Sequence, residues 1–165
     1  SNSNGHSFER VPDALEVLRP VTICALNGAV IGGSTDIALA CDFRWGVKGM
    51  SLRMPAAQIG LHFYPTGMQR YVSRWSLAMA KKAFLSAQPF TDTELYNSGF
   101  LDELVAPEAL LPQVFELAQQ ISMLAPLAVQ GMKKSQLEEE INQSQDFKEG
   151  RLALKQRRPP LFKGI

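Results

Sequence analysis

Asn27-Gly28-Ala29-Val30-Ile31-Gly32-Gly33-Ser34-Thr35-Asp36-Ile37-Ala38-Leu39-Ala40-Cys41-Asp42 reads as a strand, a glycine turn and the opening of a buried helix. The β-branched residues Val21, Thr22 and Ile23 lead into the Asn27-Gly28 break. Gly32-Gly33 then removes side chains where the backbone would have to approach a ligand closely. Amides in the first turn of the following helix lack intrahelical partners, and the helix dipole adds partial positive charge there. A carbonyl oxygen that gains negative charge during a reaction is stabilised at such a point. A plainer reading of the same pair also stands: two glycines that let a strand turn tightly into a helix.

The wider pattern selects between them. The order N-G-x-x-x-G-G-x-x-[D/E]-x-A-x-x-C-D over residues 27–42, followed by Met54-Pro55, Gly60 and Gln69-Arg70, resembles the crotonase superfamily, also called the enoyl-CoA hydratase/isomerase family. The resemblance runs from about Arg19 to the end, where residues 146–162 look like the family's closing helix. It implies a crotonase-like α/β ββα spiral, present in part, followed by a helical oligomerisation region. The segment before Phe8 does not look like the front half of a crotonase, so the chain is expected to be a C-terminal portion of the family domain. On this reading residues 1–18 are a linker and short helix, 19–106 the α/β core and 107–165 the helical region.

The resemblance also implies the chemistry. Gly33 would supply one backbone N–H to the carbonyl of an acyl-CoA thioester, and the missing front half would supply the other. Coenzyme A then enters as part of the substrate and not as a resident cofactor. In the family's hydratases a glutamate stands at the position of Asp36 and a second at the position of Ala56. Here Asp36 keeps a carboxylate on a shorter arm and Ala56 has none, which disfavours two-carboxylate hydration and one-base isomerisation alike, because proton transfer needs a group within about 3 Å of the proton.

Two readings stand for each remaining candidate. Asp36 is either a base, nucleophile or water-orienting group, or an acid that caps the helix start. His62 and Tyr64, on the loop Gly60-Leu61-His62-Phe63-Tyr64-Pro65, either belong to the catalytic site or form a packing pair. Arg70, opening a helical run, reads first as a structural salt bridge. Arg157, Arg158, Phe162 and Lys163 near the C-terminus either contact the adenine and phosphates of coenzyme A or are ordinary surface.

Composition excludes other classes. The 165 residues are 45% hydrophobic and 20% charged, enough to bury a sizeable core, and the formal net charge of +1 gives no electrostatic case for nucleic acid. No apolar run approaches the roughly 18 residues that span a membrane. Cys24 and Cys41 read as buried free thiols of a reducing compartment, with the cytoplasm as the expected location. Glu138-Glu139-Glu140 reads as a solvated helix face, and no metal site is expected. Residues 136–145 are shorter than the family's usual connection between its closing helices.

Organisation along the chain alternates strands with helices: helix over 12–18, strand 21–25, helix from 34 or 35 to 40, strands 43–47 and 51–54, helix 77–85 capped by Ser76, a helix opened by the capping box Thr91 to Glu94, strand 104–106 and an amphipathic helix over 110–124. Apolar faces after residue 107 predict association, with a homotrimer or hexamer as the family expectation. Two alternatives remain. The chain is a catalytically inactive CoA-thioester-binding or assembly subunit, or it is a dinucleotide-binding enzyme. The latter is poorly matched, since Gly28, Gly32 and Gly33 do not make G-x-G-x-x-G.

Overall fold

The computed structural model describes residues 8–134 and 145–164. The predicted linker at residues 1–6, the acidic run 138–140 and the shortened connection at 136–145 lie wholly or almost wholly outside them.

The chain runs α1 (Arg10–Glu16), β1 (Ile23–Leu26), β2 (Val30–Ile31), α2 (Gly33–Ala40), β3 (Phe43–Val47), β4 (Ser51–Arg53), a 3-10 turn (Ala56–Ile59), α3 (Pro65–Arg74) and α4 (Leu77–Lys81). There follow a π turn (Lys82–Ser86), β5 (Phe90–Thr91), α5 (Asp92–Asn97), β6 (Glu103–Val105), a 3-10 turn (Pro107–Ala109), α6 (Leu110–Ser122), α7 (Pro126–Lys134) and α8 (Gln145–Gln156). Two compact units emerge. One holds residues 8–18 and 22–114, the other 19–21 and 115 onward.

The first unit is built by alternation between two small sheets. β1 pairs in parallel with β3 and β3 with β6, while β2 pairs in parallel with β4 and β4 antiparallel with β5. Each pass therefore adds one strand to each sheet, and α2 supplies the crossover that a parallel β1–β3 pair requires. In register, Ile23 faces Phe43 and Ala25 faces Trp45, and in the other sheet Val30 faces Leu52. α2 is buried along most of its length because Ala38, Leu39 and Ala40 lie in the core with Leu52, Tyr71, Phe90, Leu95 and Phe100. That is why residues 37–41 read as an uninterrupted apolar run and not as an amphipathic stripe.

Arg44 ties the two strand edges together. Its backbone N–H donates to Asp102 Oδ2 (2.6 Å), while its buried guanidinium donates to the carbonyls of Phe100 (2.5 Å) and Cys41 (3.1 Å). Cys24 and Cys41 are both free thiols.

Local expectations meet the structure with instructive shifts. The capping box forms as read, with Glu94 N–H to Thr91 Oγ1 at 3.3 Å and Thr91 N–H to Glu94 Oε2 at 2.9 Å. The first helix begins at Arg10, two residues before the expected start, because Pro12 falls in the first turn, where no amide donor is needed. The expected helix over 77–85 starts under the Ser76 cap, whose Oγ accepts from Met79 N–H (3.1 Å), but widens into π geometry from Lys82. In the second unit, Arg19 donates twice to Gln130 Oε1 and Lys133 Nζ reaches the Pro20 carbonyl at 2.9 Å, which fastens the strand lead-in to α7. Among the described residues no helix is long and apolar enough to cross a membrane.

Candidate active site at the opening of the second helix

The backbone sets the site first. Gly32 adopts φ +61°, the left-handed region that glycine tolerates, and places the N-cap of α2 so that its own N–H donates to the Arg53 carbonyl at 2.9 Å. Ser34 Oγ accepts from Ile31 N–H (2.9 Å), and Thr35 N–H returns to the Gly32 carbonyl (3.1 Å). Gly33 N–H is thereby left without a protein acceptor among the described residues, at the positive end of an eight-residue helix.

One turn on, Asp36 is fully buried. Its carboxylate receives Arg70 Nη1 on both oxygens, at 2.8 and 2.6 Å, and the Tyr64 hydroxyl on Oδ2 at 2.5 Å. The remaining guanidinium nitrogens of Arg70 reach Asp13 Oδ1 (2.7 Å) and Glu16 Oε2 (3.1 and 3.2 Å) on α1. Arg70 is itself only 2% exposed. Burial alone would lower its pKa, but the hydrogen bonds to Asp36 and Asp13 outweigh it and push the guanidinium above its ordinary value. Beside this group the Thr35 hydroxyl meets the buried Tyr71 hydroxyl.

Tyr64 is placed by packing. Its ring stacks on Phe63, with centroids 4.3 Å apart, over Gly67 of α3; a Cβ at Gly67 would stand 2.7 Å from Tyr64 Cε2 and 2.5 Å from Phe63 Cε1. Burial first, then the hydrogen bond to Asp36 and its charge, hold the Tyr64 hydroxyl well above the ordinary tyrosine range. At neutral pH it is a protonated donor and not a base.

The candidates taken from the sequence therefore divide. Gly33, Asp36 and Tyr64 come together around the start of α2. His62 lies exposed on the preceding turn, outside this hydrogen-bonded group. Ala56 is buried in its 3-10 turn. Arg70 is the structural cation that its first reading assigned, with buried Asp36 as partner. Three participants were missed: Phe8, whose ring lies over Gly33, and the acids Asp13 and Glu16 of α1.

In the second unit, Lys148, Leu152, Arg158, Leu161 and Lys163 line a cleft of about 700 Å³. Arg158 forms a bidentate pair with Glu149 (2.5 and 2.9 Å), Phe162 packs against Gly150, and Arg157 is exposed with φ +54°.

The family model described as enoyl-CoA hydratase/isomerase matches residues 2–147. The chain belongs to the enoyl-CoA hydratase/isomerase family. It is 32% identical over 125 residues to a crotonyl-CoA hydratase of Syntrophomonas wolfei, covering 76% of this chain and 47% of that protein. It is 32% identical over 123 residues to a short-chain-enoyl-CoA hydratase of Clostridium acetobutylicum, covering 73% of this chain and 46% of that one. The chain thus spans just under half the length of these two relatives. Among solved structures, an enoyl-CoA hydratase from Bacillus anthracis matches all of this chain and 72% of its own, with TM-score 0.88 and 24% identity. That likeness establishes the crotonase-like mixed α/β fold anticipated from the 27–42 pattern.

Proposed function

We propose that this family member takes the carbonyl of an acyl-CoA thioester on the Gly33 amide, and that the whole protein acts on it by a route other than two-carboxylate hydration. The observation that carries this reading is the unpartnered Gly33 N–H at the start of α2, three residues from the buried Asp36. A donor fixed before the substrate arrives stabilises developing oxyanion charge without reorganisation. The second donor of the pair would come from outside the stretch described.

Asp36 contributes as an anchor. With Arg70 across both oxygens and Tyr64 on one, its carboxylate holds the tyrosine hydroxyl at the edge of the site. Tyr64, protonated at neutral pH with its one hydroxyl hydrogen on Asp36, is then left with its oxygen lone pairs, so that it offers a bound group an acceptor. His62, exposed on the same turn, stays available to approach a bound ligand. The cleft beside Arg158 and Lys163, with Arg157 and Phe162 adjacent in sequence, is assigned to the phosphates and adenine of coenzyme A.

Ala56 supports the exclusion of ordinary hydration, since its position carries no carboxylate, and the nearby acids Asp13 and Glu16 are engaged with Arg70. Crotonyl-CoA hydration by the unaltered protein is expected to be slow, and Ala56→Glu is expected to raise it. Tyr64→Phe is expected to lower the native turnover at least tenfold while stability falls by about 1.5–3 kcal/mol, the scale of one hydrogen bond to a charged group. Rapid hydration by the unaltered protein contradicts the reading of Ala56, and unchanged turnover in Tyr64→Phe returns that residue to packing.

A second reading has an observation of its own. Both Asp36 oxygens are already engaged, which leaves no free carboxylate base. This favours a CoA-thioester-binding or assembly subunit without turnover. A panel of acyl-CoA thioesters followed by thermal shift and product formation separates the two: stabilisation with turnover supports the enzyme, stabilisation alone the binding subunit.

Association is proposed as well. Leu111, Phe115, Met132, Leu152 and Leu154 on α6 to α8, with Met123 just after α6, are 45–81% exposed, apolar side chains that a second subunit would cover. Sedimentation at micromolar concentration is expected to show trimers or hexamers, and a monomer throughout contradicts this.

A further inference from the structure

The N–H of Gly33 and the carbonyl of Gly32 belong to one peptide group. That carbonyl accepts two hydrogen bonds from Thr35, one from its backbone N–H at 3.1 Å and one from its hydroxyl at 2.7 Å. Ser34 holds a different peptide, since its hydroxyl donates to the carbonyl of Ile31 at 2.9 Å. The Thr35 hydroxyl in turn meets the hydroxyl of Tyr71, 36 residues away on α3. Both side chains are fully buried. The protons follow by elimination: the Gly32 carbonyl only accepts, so Thr35 donates to it, and Tyr71 then donates to Thr35 Oγ1. Burial also holds the Tyr71 hydroxyl above the ordinary tyrosine range, so it keeps that proton at neutral pH. The ring is fixed by Phe63, Trp75 and Phe84, at centroid distances of 6.4, 6.1 and 4.6 Å. Its predecessor Arg70 clamps Asp36, so consecutive residues of α3 grip consecutive residues of α2.

Packing alone does not call for these hydroxyls, because apolar residues of similar shape fill a protein interior without desolvating a polar group. We infer that Tyr71 and Thr35 are positioning residues for the oxyanion donor: their hydroxyl chain fixes and polarises the Gly32–Gly33 peptide, so that the Gly33 N–H presents a stronger dipole to a thioester carbonyl. The inference rests on the proposal that this amide receives that carbonyl. Hydrogen bonds in a row strengthen one another, by about 10–30% per bond. Density drawn toward the Gly32 oxygen leaves more positive charge on the N–H at the other end of the same conjugated peptide. The bond which that N–H makes grows stronger as negative charge develops on its acceptor, so the gain is larger for the reacting state than for the bound thioester. Neither side chain touches the substrate, and both act through the backbone.

Nitrogen-15 NMR, with calorimetric titrations of butyryl-CoA and free coenzyme A, tests this on the unaltered protein, Tyr71→Phe, Thr35→Ala, Thr35→Ser and the double variant Tyr71→Phe with Thr35→Ala. Two quantities are read: the Gly33 amide proton shift of the free protein, and the ratio of butyryl-CoA to coenzyme A affinity. Thr35→Ala is expected to move the Gly33 resonance upfield and to lower the ratio about fivefold, with Tyr71→Phe smaller in both. Thr35→Ser, which retains the hydroxyl, is expected to keep both near the unaltered values. The double variant is expected to match Thr35→Ala, since without Thr35 the tyrosine has no route to the peptide. An unmoved Gly33 resonance or an unchanged ratio in Thr35→Ala, while the unaltered protein still prefers butyryl-CoA, overturns the inference and leaves the pair as a tie between α2 and α3. Additive effects in the double variant overturn it as well. If the unaltered protein binds butyryl-CoA no more tightly than free coenzyme A, the carbonyl site itself falls, and the inference with it. Tyr71→Phe and Thr35→Ser keep the test decisive should the alanine variant fail to fold.

Discussion

Replacing Arg70 by leucine is expected to lower the unfolding free energy by about 3–5 kcal/mol, the cost of leaving a buried charge without its partner. Asp36 has no solvent to fall back on, being fully buried, and would retain only the Tyr64 hydroxyl. Asp13 and Glu16 would lose the cation that draws α1 onto the site, since Arg74, 3.3 Å from Glu16, touches only one of them. A chain of this size loses a few degrees of melting temperature per kcal/mol, so a drop of roughly 10 °C is expected by calorimetry. The double variant Asp36→Leu with Arg70→Leu is expected to recover part of the loss, because it removes the stranded charge with its partner. A loss below about 1 kcal/mol for Arg70→Leu would mean that the pair behaves like one at the surface.

The second large effect is on binding. Gly33→Val is expected to weaken acyl-CoA affinity at least tenfold with modest loss of stability. Gly33 is helical and does not occupy the left-handed region, so valine is not excluded by the backbone. The obstacle is steric: the new Cβ would stand 2.5 Å from the Phe8 ring, and one or other must move into the space before the amide. Gly33→Val combined with Phe8→Ala is expected to relieve the clash with that ring without restoring the open approach. Thioester titrations that match the unaltered protein would remove Gly33 from the site.

How far the site could be read in the sequence follows from distance along the chain. The turn at Gly32-Gly33 is local, and its β-branched lead-in and buried apolar run are visible within 20 residues. The Thr91 to Glu94 capping box is local too, and both of its bonds form. The partners of Arg70 lie 34 to 57 residues away, so an ion pair could be expected from residue type but not which carboxylates would make it. Phe8 was invisible for the same reason: a lone aromatic ahead of a short helix carries no periodic signal, and only the approach of α1 to α2 puts it over Gly33.

Two-residue strands such as β2 and β5 are too short to show alternation. The π turn after Lys81 leaves the 77–85 pattern apparently helical, because one widened turn shifts the apolar stripe too little to register. Ala56 illustrates the opposite case. A residue that lacks a carboxylate is fully legible in a sequence, and the structure adds only that it is buried in a 3-10 turn.

The central claim, that Gly33 N–H receives a thioester carbonyl, is tested most directly by following the backbone amide of Gly33 in a nitrogen-15 NMR titration with butyryl-CoA, with free coenzyme A as the control. The account predicts a saturable downfield shift of the Gly33 amide proton with butyryl-CoA and a much smaller one with coenzyme A. Saturation of the protein by butyryl-CoA with the Gly33 resonance unmoved would contradict it.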